Sequence, residues 1–142
     1  MSIWFREFSI NDVRQFGQVN MLSHLGIELT TITADGIGGK MPVDNRTTQP
    51  MGLLHGGASC VLAESLGSIG AHLVIDAEKF YCVGLDINAN HLRPATSGYV
   101  FGFAKPIHLG KSTQVWSIEI TDEKNKLVCI SRLTMAVLEK KI

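Results

Sequence analysis

The chain has 142 residues, enough for one domain with a proper core and short of two. Charged residues make up 18% where about 25% is usual. Either this is small-protein scatter or part of the surface is covered by another subunit. Lys+Arg and Asp+Glu both number 13. That balance argues against nucleic acid as a partner, which needs a basic stripe, and against a polybasic membrane anchor.

The opening MSIWFREFSI has no basic start followed by an apolar stretch, so no signal peptide is expected. Ser9 or Asn11 can cap a helix, and Asn11 to Leu25 reads as one or two short helices. Ile27 to Ala34 reads as a strand, Asp35-Gly36 as a hairpin turn, and Ile37 to Val43 as the returning strand. Asp44 to Leu54 is loop, punctuated by Pro50 and Gly52. The period then turns helical from His55 to Ile75. Leu62, Leu66, Ile69 and Leu73 form one apolar face. Gly57, Cys60, Glu64, Ser68 and Ala71 form another, small everywhere except at Glu64. Gly67 and Gly70 each cost roughly 1 kcal/mol in a helix interior and so predict close packing around it.

After this helix the period becomes two. Tyr81 to Arg93 alternates, with Val83, Leu85, Ile87 and Ala89 expected on one side and Asp86, Asn88 and Asn90 on the other. Strands follow from Tyr99 to Leu109, around Trp116, Ile118 and Ile120, and from Lys126 to Leu138. The turns between them lie at Ser97-Gly98, Gly110-Lys111 and Asp122 to Asn125. Helix and strands are segregated and the turns are short. The expected class is α+β, a mainly antiparallel sheet wrapped around one long central helix. The longest run without Asp, Glu, Lys or Arg, Thr47 to Ala63, falls short of the about 20 apolar residues of a membrane span. A cytoplasmic protein is expected.

Several patterns fail as sites. Asp86-x-Asn88-x-Asn90 opens like a calcium loop but has His91 where Gly is needed and Ser97 where Glu is needed. Gly110-Lys111-Ser112 ends like a phosphate loop, yet Lys105 stands where the first Gly should and a strand follows. His55-Gly56-Gly57-Ala58 echoes a serine-hydrolase oxyanion loop without a GxSxG elbow to serve it. Cys60, Cys82 and Cys129 make no CxxC pair, and the five histidines have no ligand spacing. No metal is expected.

The stretch Gln49-Pro-Met-Gly-Leu-Leu-His55-Gly56-Gly57 through Glu64 to Ser68 is different. A helix start offers unpaired N–H groups and a partial positive charge, and glycine lets a ligand approach them. Gly56 can therefore polarise a carbonyl, unless the two glycines only permit a tight turn. Glu64 is a lone carboxylate in a nearly uncharged helix, and Ser68 follows at i+4, where it can hold a water or be filler. Gly56 and Glu64 stand about 12 Å apart along the helix. If both act on one carbon, they come from different chains, giving two composite sites in a two-fold dimer.

These residues, with Val83-Gly-Leu-Asp-Ile-Asn-Ala-Asn-His91-Leu-Arg93-Pro94, resemble the hotdog-fold acyl-CoA thioesterases from about Trp4 to Leu138. The branch most similar comprises the 1,4-dihydroxy-2-naphthoyl-CoA hydrolases and the thioesterases that clear misacylated aryl carrier protein. The resemblance implies hydrolysis of an aromatic acyl-CoA, with coenzyme A as part of the substrate and no other cofactor. It implies a homodimer or a dimer of dimers, and an aryl carrier protein as a possible partner. Glu64 would attack the thioester or activate water, and Gly56 of the partner helix would polarise its oxygen. Gln49 and His55 would hold the thioester or the water, and Ser68 would support that water. Gly84, the segment His91, Leu92, Arg93 and Pro94, and the segment His108, Leu109, Gly110, Lys111, Ser112 and Thr113 correspond to the coenzyme A pocket. Arg93 and Lys111 there supply charge for phosphates. The alternatives are a hydratase, for which a suitably placed His with Asp or Glu is not found, and a non-catalytic acyl-CoA-binding module.

Overall fold

The computed structural model describes residues 1–141. Ser9 caps the first helix, α1 (Ile10–Arg14), in a reciprocal pair with Asp12. Asn20 caps α2 (Met21–His24) in the same way, after the 3-10 turn Gln15–Gly17. The fully buried Val13 and a 3.1 Å hydrogen bond from Arg14 Nε to the Leu29 carbonyl pin this layer to β1 (Glu28–Ile32). Then come β2 (Ile37–Pro42), α3 (Gly56–Val74), β3 (Phe80–His91), β4 (Tyr99–Leu109), β5 (Thr113–Thr121) and β6 (Leu127–Glu139).

The six strands form one sheet in the order β1-β2-β4-β5-β6-β3, with every neighbouring pair antiparallel. This is the α+β layout read from the sequence. The helix lies across one sheet face, with Leu62, Leu66 and Leu73 buried against Trp116, Ile118 and Leu133. Burying each of these leucines contributes about 1.5–3 kcal/mol. Gly67 and Gly70 let helix and sheet approach. A methyl group on Gly67 would stand 2.6 Å from Leu133 Cδ2, and one on Gly70 2.8 Å from the Trp116 ring. The helix is long and apolar enough to cross a membrane by length and composition, but it is the core helix, packed against the sheet. Trp4 closes the end of the core by stacking on Trp116 at 6.3 Å.

One expectation fails in β3. Gly84 pairs with Met135 and Asp86 with Thr134, so Leu85 is the extra residue of a β-bulge. The bulge reverses the alternation. Val83 and Leu85 are exposed, at 40% and 62%, while Ile87 and Ala89 turn inward with Cys82. An alternating pattern cannot reveal a one-residue slip.

Candidate active site

The loop before α3 holds one amide free. Thr47, 2% exposed, donates its hydroxyl to the Pro42 carbonyl at 2.6 Å and accepts from the Asp44 N–H at 3.1 Å. The His55 N–H donates to the Thr47 carbonyl and the Leu54 N–H to the Ala95 carbonyl, each at 2.8 Å. His55 is the N-cap; its Nδ1 accepts from the Gly57 N–H at 2.8 Å. Its carbonyl accepts from the N–H groups of Ala58 and Ser59. That leaves the Gly56 N–H without an acceptor among the described residues. Because Nδ1 accepts, the proton of a neutral His55 ring sits on Nε2, which becomes a free donor. The Gln49 side-chain carbonyl accepts from the Met51 N–H, leaving the Gln49 amide nitrogen as a second donor.

Two turns along α3, Glu64 is half-buried beside β3. A methyl group on Gly84 would stand 2.8 Å from Glu64 Oε1, so the carboxylate occupies the space the glycine leaves. Ser68 Oγ, one turn on, lies 3.7 Å from the sulfur of Met135, the residue paired with Gly84. The Glu64 carboxylate has no hydrogen bond or ion pair among the described residues. Burial, and then the Glu64 charge, push the Cys60 thiol up. Burial, with Cys60 adding to it, pushes Cys129 up to about 11. Both stay neutral thiols and do not compete as nucleophiles.

The candidate residues fall into two groups at opposite ends of β3. Leu109, Gln114, Met135 and Gly84 lie in one row across β4, β5, β6 and β3. The hairpin tip from His108 to Thr113 therefore belongs to the Glu64 end. It is closed by a 2.9 Å bond from the Gly110 N–H to the Thr113 carbonyl, with Lys111 exposed. His91 pairs with Cys129, six residues and about 20 Å along β6 from Met135. There Leu92, Arg93 and Pro94 leave the sheet, and His91 packs against Gly56. A single chain thus gathers Glu64, Ser68, Gly84 and the hairpin tip, and separately Gln49, His55, Gly56 and His91 to Pro94. Thr47, Ala95 and Met135 also shape the site and carried no signal in the sequence. A cavity of about 750 Å³ opens between the N-terminal segment and the far end of α3, lined by Phe5, Phe16 and His72; none of the candidate residues lines it.

A family model described as the thioesterase superfamily matches residues 51–129, which span His55, Gly56, Glu64, Ser68, Gly84 and His91. The chain belongs to the thioesterase superfamily. Within it, the chain is similar to the 1,4-dihydroxy-2-naphthoyl-CoA hydrolase of Escherichia coli, 52% identical over 136 residues that cover 96% of this chain and 99% of that protein. It is also similar to the proofreading thioesterase EntH of Klebsiella pneumoniae, 46% identical over 136 residues covering 95% and 98%. A crystal structure of a mutant thioesterase from Pseudomonas aeruginosa superposes with a TM-score of 0.95 at 45% identity, covering 98% of this chain and 100% of that one. The hotdog fold and the thioesterase class expected from the motifs both hold.

Proposed function

We propose that this thioesterase hydrolyses an aromatic acyl-CoA, of the 1,4-dihydroxy-2-naphthoyl or benzoyl type, to the free acid and CoA at sites shared by two copies of the chain. The observation that carries the reading is the separation of the Gly56 amide from the Glu64 carboxylate, each beside the unpaired edge of β3. An edge strand of 12 residues with Tyr81, Val83 and Leu85 exposed is a template for pairing. The Leu85 bulge turns Gly84 and His91 to the same face. A two-fold axis through Asn88 would then set Gly84 opposite the partner's His91. Glu64 of one chain would come to Gly56 of the other.

The chemistry follows from that pairing. The Gly56 N–H, at the positive end of α3, stabilises the oxygen of the thioester as it gains charge. The His55 Nε2–H and the Gln49 amide add donors around that oxygen or the attacking water. Glu64 either attacks the carbonyl carbon, giving a mixed anhydride that water opens, or takes a proton from a water held with Ser68. In both routes a C–O bond forms, the C–S bond breaks and CoA leaves as thiolate. Arg93 and Lys111 meet its phosphates from the two ends of the composite site. Single turnover in ¹⁸O water labels the Glu64 carboxylate only on the anhydride route.

Glu64→Gln keeps its fold and loses about 10²–10⁴ in turnover of aryl-CoA, measured by thiol release. Activity within a few-fold of the parent would end the catalytic assignment. Mixing Glu64→Ala with Gly56→Pro chains restores activity, because one of the two sites in each mixed dimer is intact. No recovery in demonstrably mixed dimers argues against the shared site. Similarity to the Klebsiella proofreading enzyme supports a second reading, release of misloaded acyl groups from an aryl carrier protein. A higher kcat/KM on aryl carrier protein than on the same aryl-CoA selects it.

A further inference from the structure

We infer that Asp86, Asn88 and Asn90, the outward side chains of β3, set the register in which a second copy of this chain pairs, an inference that rests on the shared site proposed above. All three are exposed, while Ile87 and Ala89 between them turn inward against the core. None of the three side chains makes a hydrogen bond or ion pair among the described residues. The Leu92 N–H donates to the Val128 carbonyl of β6 at 2.8 Å. Main-chain groups alternate sides along a strand. Those of Asp86, Asn88 and Asn90 therefore also point to β6, and those of Ile87, Ala89 and His91 point to the free edge.

That alternation decides how the outward residues meet. In antiparallel pairing across the free edge, Ile87 and the partner's Ala89 exchange main-chain hydrogen bonds. The outward residues then fall in the non-hydrogen-bonded pairs, where Cα atoms approach to about 4.5 Å and side chains are closest. With the two-fold axis at Asn88, the two Asn88 amides face each other, and each can donate an N–H to the other's oxygen. Asp86 faces the partner's Asn90, whose amide N–H its carboxylate accepts. Neighbouring registers do worse. A slip of one residue sets the polar side chains opposite Ile87 and Ala89. An axis at Asp86 sets two carboxylates directly opposite, which is destabilising. An axis at Ile87 leaves Asn90 at the partner's Leu85 bulge, and an axis at Ala89 sets Asp86 against the partner's Leu92. Arg132 of β6 pairs with Asn88 and lies diagonal to Asp86 and Asn90 alike, so its charge acts on both positions. The axis at Asn88 is also the one that brings Glu64 of one chain to Gly56 of the other. The outer face of the sheet thus keys a site built on its inner face.

The test is disulfide trapping with diamide, which takes up the two thiol hydrogens as the S–S bond forms. Asn88→Cys is expected to give a covalent dimer on a non-reducing gel. Asp86→Cys and Asn90→Cys each stand about 13 Å along the strand from their own copy across the axis, too far for a disulfide, and should link at least about 10-fold more slowly. The parent chain, treated in parallel, gives the background from Cys60, Cys82 and Cys129. Asp86→Cys or Asn90→Cys linking as fast as Asn88→Cys overturns the register, and so does an Asn88→Cys chain that links no more than the parent. A second arm reads the pairing itself. Asn90→Asp sets two carboxylates opposite each other twice in each dimer, so subunit exchange, followed by energy transfer between labelled copies, should speed about 5–30-fold. Adding Asp86→Asn makes the pair Asn with Asp again and should restore the parent rate. If it does not, position 90 matters alone and the proposed pair is wrong. A Glu64→Gln enzyme that still turns over breaks the underlying catalytic reading instead and leaves the trapping pattern untouched, so the two failures are distinct.

Discussion

The two ends of the helix–edge-strand contact are built in different ways. At the Gly56 end, main-chain and capping hydrogen bonds at Leu54, His55, Gly57, Ala58 and Ser59, with the buried Thr47, hold the loop. At the Glu64 end there is a carboxylate without a partner, lodged in the space a glycine leaves, and a 3.7 Å hydroxyl–sulfur contact. Apart from the free Gly56 N–H, the first end is held within the chain, while the second leaves its carboxylate open. A polar group half-buried without a partner costs stability on its own, which fits the reacting role proposed for Glu64. The loop that carries the amide is held by its own chain while the carboxylate is not, and the two should respond differently to damage.

The largest effect should come from blocking the proposed pairing of two copies along β3. Val83→Lys with Leu85→Lys places charge on the free edge of β3, at positions exposed by 40% and 62%, where a lone chain tolerates it. Sedimentation should report a monomer with an unchanged circular dichroism spectrum. Turnover should fall by about 10²–10³-fold, the cost of losing the other copy's amide. A folded monomer with full activity would mean that one chain completes the site alone.

Gly84→Ala should come next. Its methyl group falls 2.8 Å from Glu64 Oε1 and displaces the carboxylate without touching the loop at Gly56. A misplacement of about 1 Å costs up to about 10² in rate, so kcat should fall by about 10–10²-fold with melting temperature little changed. A raised KM with kcat intact would return Gly84 to the substrate pocket suggested by the motif.

Much of this was legible in the sequence, and what was not has a physical reason. The helix from His55 to Ile75 was readable because a 3.6 period, a cap and an absence of proline agree; the observed α3 differs by one residue at each end. The tight fit at Gly67 and Gly70 followed from their cost in a helix. The inward set of β3 was misread because the Leu85 bulge leaves the alternation intact on paper while shifting it in space. The division of the pocket residues between two ends of one chain was invisible, since it depends on strand order. β6 lies between β5 and β3, and only that order puts the hairpin tip on the row of Gly84 and not of His91. Thr47 carries no signal because a threonine in a loop gives no sign that it will be buried.

Thr47 also supplies the mildest test. Thr47→Val keeps the shape but strands the Pro42 carbonyl and the Asp44 N–H, both now served by its hydroxyl. Leaving buried polar groups unpaired costs about 1–3 kcal/mol, a fall of about 3–10 °C in melting temperature for a chain of this size. Turnover at low temperature should stay near the parent value. The amide's loop keeps its bonds from Leu54 to Ala95, from Gly57 to His55 and from His55 to the Thr47 carbonyl, which valine retains. If kcat fell here as far as in Gly84→Ala, the loop would be held by the one hydroxyl and the amide end would be no more self-sufficient than the carboxylate end.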